Sequence, residues 1–429
     1  MIATLRSSTL QGSVLAPRSK SVMQRVCAAA LLAGGETILE APGNSQDDLI
    51  ALAIIQQLGA TVQKMGDGAI KISSRGLSVK EPLALHCGES GLSCRLFTSI
   101  AALSSYPVTI SGIGSLLKRP QLFFLQVLPE LGTQVISENG FLPLQVKGPL
   151  IPRDIRVDGS LSSQYLSGIL MAFSVLSVND VTISVDQLVS KPYVDLTIEI
   201  LQKFGLPTPV QHDYSTFYFA HQSIPVRHHG AKRNFKIEGD WSGAAFLLVA
   251  GALAGNIQLT GLSQHSLQAD KKIIDVLKQA GANLKFEHDS ISVQCAPLHA
   301  FSFDATDSPD LFPPLVALAS FCQGESRISG AGRLKFKESN RATTLIEEFS
   351  KLGVFIREDA DCLIIQGVSA IKGGLVKAHQ DHRVAMALAV AALRSNEEVN
   401  IVEAESVQKS YPYFFDDLVK LHASVSLIN

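Results

Sequence analysis

The chain is 429 residues long, with 37 lysines and arginines, 39 acidic residues and a formal net charge of −2. Hydrophobic residues make up 46% and charged residues 18%, which is too apolar for a disordered chain and too balanced for one built to coat nucleic acid or an anionic membrane. At about 150 residues per domain, the length calls for two or three domains, each large enough to bury its own core.

The first residues, MIATLRSSTLQGSVLAP, contain no continuous apolar stretch of the kind a secretory signal uses. The longest apolar run, AAFLLVAGALAG at 244–255, falls well short of the ~20 residues of a membrane span. The expectation is a cytoplasmic protein with no membrane partner. Cys27, Cys87, Cys94, Cys295, Cys322 and Cys362 form no CxxC pair and no cluster with histidine, so most read as small buried hydrophobes and none as a metal ligand. His212, His221, His228 and His229 form a loose group that reads as surface loop.

Two patterns alternate along the chain. The first is an apolar helix, a polar or glycine break and a strand: CAAALLAGGETIL, FTSIAALSSYPVTI, ILMAFSVLSVNDVTI, LLVAGALAGNIQL, LVALASFCQGESRI and LAVAALRSNEEVNI. The second is an amphipathic helix, a glycine and a strand: IIQQLGATV, VLPELGTQV, ILQKFGLPT, VLKQAGANL and EEFSKLGVFI, with a sixth copy, LVKLHASV, that carries His422 in the glycine position. The glycines are Gly59, Gly132, Gly205, Gly281 and Gly353, a near-constant interval that His422 continues. An interval of roughly 73 residues, held over six copies, marks a repeat architecture. Each unit reads helix, strand, helix, then one or two strands. The first helix is apolar all round and should be buried; the second has one apolar stripe and should lie outside. The glycine after it should adopt the left-handed conformation that ends a helix.

Six such units suggest an α/β fold of two lobes with three units each, helices about a common core and strands as a wall, an inside-out α/β barrel. The expected lobes are 18–235, and 1–17 together with 236–429, so that the N-terminal segment pairs with the second lobe.

Polar clusters mark the helix starts: Ser19, Lys20, Ser21 and Arg25; Glu89, Ser90, Gly91 and Arg95; Ser162, Ser163 and Gln164; Glu238, Asp240 and Ser242; Asp307 and Asp310; Asp381, His382 and Arg383. Capping explains the serines and aspartates. It does not explain Lys20, Arg119, Lys337 and Lys409, because a cation at a helix N-terminus opposes the dipole by about 0.3–1 kcal/mol. A bound anion would relieve that conflict. If equivalent ends converge, they form one cationic site for ligands bearing phosphate or carboxylate. Glu338 and Asp310 lie among these bases, where two acids near a substrate could exchange protons with it.

At these residues the chain resembles the enolpyruvyl transferases, in the branch acting on shikimate 3-phosphate. The likeness rests on KSVMQR (20–25), GESGLSCR (88–95), KRP (118–120), SSQYLSGILMA (162–172), SKPYVDLT (190–197), EGDWSGAAF (238–246), SPD (308–310), KFKESNR (335–341), DHRVAMA (381–387) and QKSYP (408–412), in that order along nearly the whole chain. The resemblance implies two three-unit lobes with the active site between them. It also implies transfer of the enolpyruvyl group of phosphoenolpyruvate to the 5-hydroxyl of shikimate 3-phosphate with release of phosphate, no metal or organic cofactor, and a monomer. Lys20, Ser21 and Arg25 would touch both substrates. Ser162, Ser163, Gln164, Ser190 and Tyr193 would hold shikimate 3-phosphate; Gly91, Arg119, Arg341, Arg383 and Lys409 would contact phosphoenolpyruvate. Asp310 would be a base toward the acceptor hydroxyl and Glu338 the proton donor to the methylene carbon. Lys20 and Lys337 would share in proton transfer and binding, with His382 in support.

Four positions depart from the family pattern: Glu89 in place of Asn, Leu92 in place of Thr, Asn340 where Asp is common, and Arg333 where Asn or Glu is common. A carboxylate at Glu89 would repel an anionic ligand unless it points away or pairs with a base. The sister branch acting on UDP-N-acetylglucosamine usually has a reactive Cys in the loop aligned with 112–120, which here reads GIGSLLKRP. A DNA clamp of six α/β units would need basic helices facing water, unlike LSGILMAFSVL. An inactive descendant that only binds anions would not need the acids.

Overall fold

The computed structural model describes residues 1–222, 231–287 and 290–428; His228 and His229 lie outside them. The chain divides into a continuous unit, Lys20–Ile237, and a discontinuous unit, Met1–Ser19 with Glu238–Asn429. The continuous unit carries α1 (Lys20–Ala33), α2 (Gln46–Gln57), α3 (Gly91–Ala101), α4 (Leu122–Glu130), α5 (Ser163–Phe173) and α6 (Lys191–Lys203). The discontinuous unit carries α7 (Trp241–Ala254), α8 (Ile273–Gln279), α9 (Phe312–Ala319), α10 (Arg341–Lys351), α11 (His382–Ala392) and α12 (Phe414–Lys420).

The odd-numbered helices are the apolar ones, and they are buried nearly all round. In α11 every residue from His382 to Ala392 is buried, and α7 is buried from Trp241 to Leu253. The even-numbered helices bury one stripe. In α10 it runs Arg341, Ala342, Thr344, Leu345, Glu348 and Phe349, the three-and-four spacing of a single helix face.

The described residues form six four-stranded sheets with one shared topology. In one, Leu83–His86 pairs parallel with Val108–Ser111 across the α3 crossover, and the hairpin Gln134–Ser137/Leu144–Lys147 adds on antiparallel. Three sheets borrow a strand from elsewhere in the chain. Ile2–Leu5 fills the third place beside Val399–Val402 and Val425–Ile428, and Leu10–Leu15 pairs parallel with Gly255–Thr260. Lys232–Lys236 pairs parallel with Gly35–Glu40, which the sequence did not suggest.

These pairings explain why the division falls slightly later at each crossing than expected from sequence. The Ile237 N–H still bonds the Glu40 carbonyl inside the continuous unit. Arg18 bridges Gly239, and the Ser19 N–H bonds the Glu238 carbonyl, inside the other.

The repeat glycines end the outer helices as expected. Gly59, Gly132, Gly205, Gly281 and Gly353 all have positive φ, from 68° to 107°. In each case the next N–H reaches back to close the last turn, as Ala60 does to Ile55 and Thr133 to Leu128. His422 does the same at φ 68°, with Ala423 N–H bonding the Leu418 carbonyl. A side chain with a Cβ is strained there by about 1 kcal/mol. His422→Gly should therefore raise the melting temperature, with a gain of about 1 kcal/mol by denaturant titration. A loss of stability would show that the imidazole makes a compensating contact.

Candidate active site

In the continuous unit the N-terminal halves of α1, α3, α5 and α6 are tied together by side-chain hydrogen bonds. Arg25 of α1 is buried and donates to Thr197 Oγ1 (2.9 Å), the Ser21 carbonyl (2.9 Å) and the Tyr193 carbonyl (3.3 Å), with its guanidinium 5.7 Å from the Tyr193 ring centre. Thr197 in turn donates to Ser167 of α5 at 2.9 Å. Gln24 accepts from Ser90 and Ser93 at the start of α3 (3.1 and 2.9 Å), and Arg95 of α3 donates to Gln164 of α5 at 2.7 Å. The oxygens Arg25 reaches are neutral, and burial lowers its pKa to about 10.

Lys20, the first residue of α1, pairs with Asp47 at 2.9 Å. Ser162 caps α5, and Ser163 is buried behind it. Ser190 precedes α6 in a left-handed conformation (φ 55°). Arg119 is buried, and its guanidinium lies over the start of α3, where a Cβ on Gly91 would stand 3.0 Å from Nη1. Leu92 is buried in the apolar core of this unit.

In the discontinuous unit the charges are denser. Asp310, three-quarters buried, takes Lys337 (3.3 Å), Arg341 (3.0 Å) and Arg383 (3.0 Å) at once. Arg341, fully buried, also reaches Glu338 (2.6 Å) and both oxygens of Asp381 (2.9 and 3.2 Å). Asp381 caps α11 by accepting the Arg383 N–H. Burial pushes the Asp310 carboxyl up, but Arg383, Lys337 and Arg341 outweigh it and hold its pKa well below the usual carboxylate range. Burial lowers Lys337 to about 8 despite the opposing pull of Asp310. Asp270, buried and bonded by the Ser242 hydroxyl, is raised by burial and by Asp310 to about 6, against the pull of Arg383.

The turn leading into α11 is braced from outside. His379 and Gln380 both have positive φ (54° and 55°). The buried Glu348 accepts from His379 (2.6 Å) and from the Lys377 N–H (3.0 Å); Lys409 donates to the Gln380 carbonyl (2.9 Å). Lys409 thus joins this group through the turn rather than through Asp310. His382 is buried at the start of α11.

Three of the four cations expected at helix N-termini, Arg119, Lys337 and Lys409, stand at the C-terminal ends of short 3-10 helices instead. Lys118 ends the short 3-10 helix Gly114–Lys118, which Arg119 directly follows. Lys337 directly follows Ala331–Phe336, and Lys409 ends Ala404–Lys409. At C-terminal ends a cation is favourable, not opposed. The conflict falls instead on Lys20, Arg341 and Arg383, in the first turns of α1, α10 and α11. Asp47, Asp310, Glu338 and Asp381 answer it. Asp47, Asp381, Asp270 and Gln24 were not chosen as site residues from sequence. Asp381 stood in the DHR run but read as a cap, and it is both cap and partner. Arg333, a departure from the family pattern, donates to the Thr306 carbonyl and adds its charge beside Asp310. Asn340 stands exposed at the N-cap of α10 without a side-chain capping bond.

Comparison with known proteins fixes the class. The fold is that of two solved structures of EPSP synthase from Acinetobacter baumannii: one at TM-score 0.81 and 24% identity over 99% of both chains, the other at 0.82 and 23% over all of both. The family model for EPSP synthase (3-phosphoshikimate 1-carboxyvinyltransferase) matches residues 5–418. Relatives carrying that enzyme's name include those of Clostridium novyi (strain NT), 35% identical over 96% of both chains, and Aeropyrum pernix, 34% identical over 98% of this chain and 96% of its own. The chain belongs to the EPSP synthase family.

Burial makes the Lys337 ammonium easier to deprotonate in the folded chain than in the unfolded one. Between about pH 8 and 10.5 the unfolded chain binds more protons at this group than the folded one, so its contribution to stability rises with pH across that window. In the ligand-free protein, NMR of isotopically labelled lysines should show one ammonium titrating near 8, absent in Lys337→Arg; titration with the remaining lysines would contradict the assignment.

Proposed function

We propose that this protein transfers the enolpyruvyl group of phosphoenolpyruvate to the 5-hydroxyl of shikimate 3-phosphate and releases phosphate, a step toward chorismate and the aromatic amino acids. Membership of the family supports the reaction. The observation that carries the chemistry is Asp310 bonded at once to Lys337, Arg341 and Arg383.

The reaction protonates the methylene carbon, develops positive charge at the carbon bearing the phosphate ester, and lets the acceptor oxygen attack there. The tetrahedral adduct then loses phosphate and a proton. Two anions must be held while protons move, which calls for cations to hold them and acids poised among those cations. In this reading Glu338 delivers the first proton, and Asp310 takes the proton of the acceptor hydroxyl. Arg341, Arg383 and Lys409, with Gly91 and Arg119, receive phosphoenolpyruvate. Ser162, Ser163, Gln164, Ser190 and Tyr193 hold shikimate 3-phosphate, and Lys20, Ser21 and Arg25 serve both substrates. Asp310 is a poor base while three cations surround it, and the anionic substrates offset those cations and raise its proton affinity. Lys337, near 8, exchanges a proton at neutral pH more readily than an ordinary lysine. The reading extends to a monomer working in the cytoplasm without metal or organic cofactor; no described helix is long and apolar enough to cross a membrane.

A phosphate-release assay with rival acceptors tests the reading. Turnover is expected with shikimate 3-phosphate and not with UDP-N-acetylglucosamine. Glu338→Gln should lose roughly 10²–10⁴ of kcat, the range of a lost general acid. Equal turnover with both acceptors, or an unimpaired Glu338→Gln, would overturn it.

A further inference from the structure

Glu89 stands where an acid should repel an anionic substrate, and the structure gives it a different employment. The loops after Leu83–His86 and Val108–Ser111 run side by side, joined by Cys87 N–H to the Ser111 carbonyl (2.8 Å) and Ile113 N–H to the Gly88 carbonyl (2.8 Å). Across this seam the Glu89 carboxylate accepts two bonds from Ser115, from its N–H at 2.9 Å and from its hydroxyl at 3.0 Å. Ser115 lies in the 3-10 helix Gly114–Lys118, whose own N-cap residue, Ile113, makes no side-chain bond. Glu89 therefore supplies the cap from 26 residues away in sequence. The approach is close, since a Cβ on Gly114 would run into the Glu89 carboxyl group.

The Ser115 hydroxyl has one proton and gives it to Glu89. That fixes its lone pairs toward Arg119, whose Nη2 donates to it at 3.1 Å. The Arg119 backbone is held as well: its N–H bonds the Leu116 carbonyl (3.2 Å) and its carbonyl takes the Gln121 amide (3.0 Å). The guanidinium then rests over Gly91 at the start of α3.

We infer that Glu89 is a positioning residue that sets the Arg119 guanidinium through Ser115, and so tunes affinity for phosphoenolpyruvate without touching it. This rests on the proposed role of Arg119. Simple repulsion and positioning predict opposite signs. If Glu89 only repelled the substrate, removing its charge in any way would lower KM for phosphoenolpyruvate.

The test is steady-state kinetics of the full chain on four variants and one double variant, with melting temperatures measured alongside. Glu89→Ala and Ser115→Ala should each raise KM for phosphoenolpyruvate about 5–20-fold, with KM for shikimate 3-phosphate and kcat within about two-fold, and the double variant should be no worse than either alone. Glu89→Gln keeps an acceptor oxygen and should stay within about three-fold of the parent. If Glu89→Ala and Glu89→Gln both lower KM, or neither changes it, the inference fails while the proposed function stands. If Arg119→Ala leaves KM for phosphoenolpyruvate unchanged, the role of Arg119 is wrong and the inference falls with it. A general fall in kcat and melting temperature, without the split between the two KM values, would mark Glu89 as a structural cap only and overturn the inference.

Discussion

A buried cation must replace the hydration it loses, and this constraint organises both units. Taking a guanidinium out of water costs several kcal/mol unless bonds and opposite charge replace the lost hydration. The two units meet the demand differently. Arg25 is satisfied by neutral oxygens from Thr197, Ser21 and Tyr193, so its positive charge is not cancelled by the bonds that hold it. Arg341 is satisfied by Asp310, Glu338 and Asp381, three carboxylates of its own unit. On the proposed reading this is a division of labour. The continuous unit offers standing charge to a phosphate, and the discontinuous unit offers acids and bases whose proton affinities shift when a substrate anion arrives.

Packing follows from the same repeat that places these charges. An apolar inner helix is buried nearly all round, so only its start can present polar groups. A polar side chain deeper in such a helix would have to be bonded inside the core, as Ser167 is to Thr197. The capping residues Ser90, Ser162, Asp240 and Asp381 satisfy the first turns.

Much of this was legible in the sequence. Periodic apolar runs gave the inner helices. The glycine positions, including His422, were readable as left-handed because one backbone geometry ends every outer helix. The exchange of the N-terminal segment was readable from the count of repeats. Other features were not. Lys232–Lys236 reads KRNFK, and its sheet is chosen by hydrogen bonds to Gly35–Glu40, a strand near the other end of the same unit, which leave no mark on residue type. Asp47 sits in a run of capping residues, so its bond to Lys20 looks like ordinary capping chemistry. The cations Arg119, Lys337 and Lys409 were misplaced because a 3-10 turn and the first turn of an α-helix draw on the same residues. Glu89 could be flagged as a departure but not explained, because its partner Ser115 is an ordinary serine until the loops are laid side by side.

On the proposed reading, the carboxylates around Arg341 compensate the buried cations until a substrate's charge joins them. Asp310→Asn tests it most directly, with inorganic phosphate as the probe and melting temperature as the readout. With one internal anion gone, Lys337, Arg341 and Arg383 are under-compensated. The variant should melt lower than the parent in phosphate-free buffer and should gain more stability than the parent as phosphate is added. A variant that melts like the parent and responds to phosphate no more strongly would contradict the claim.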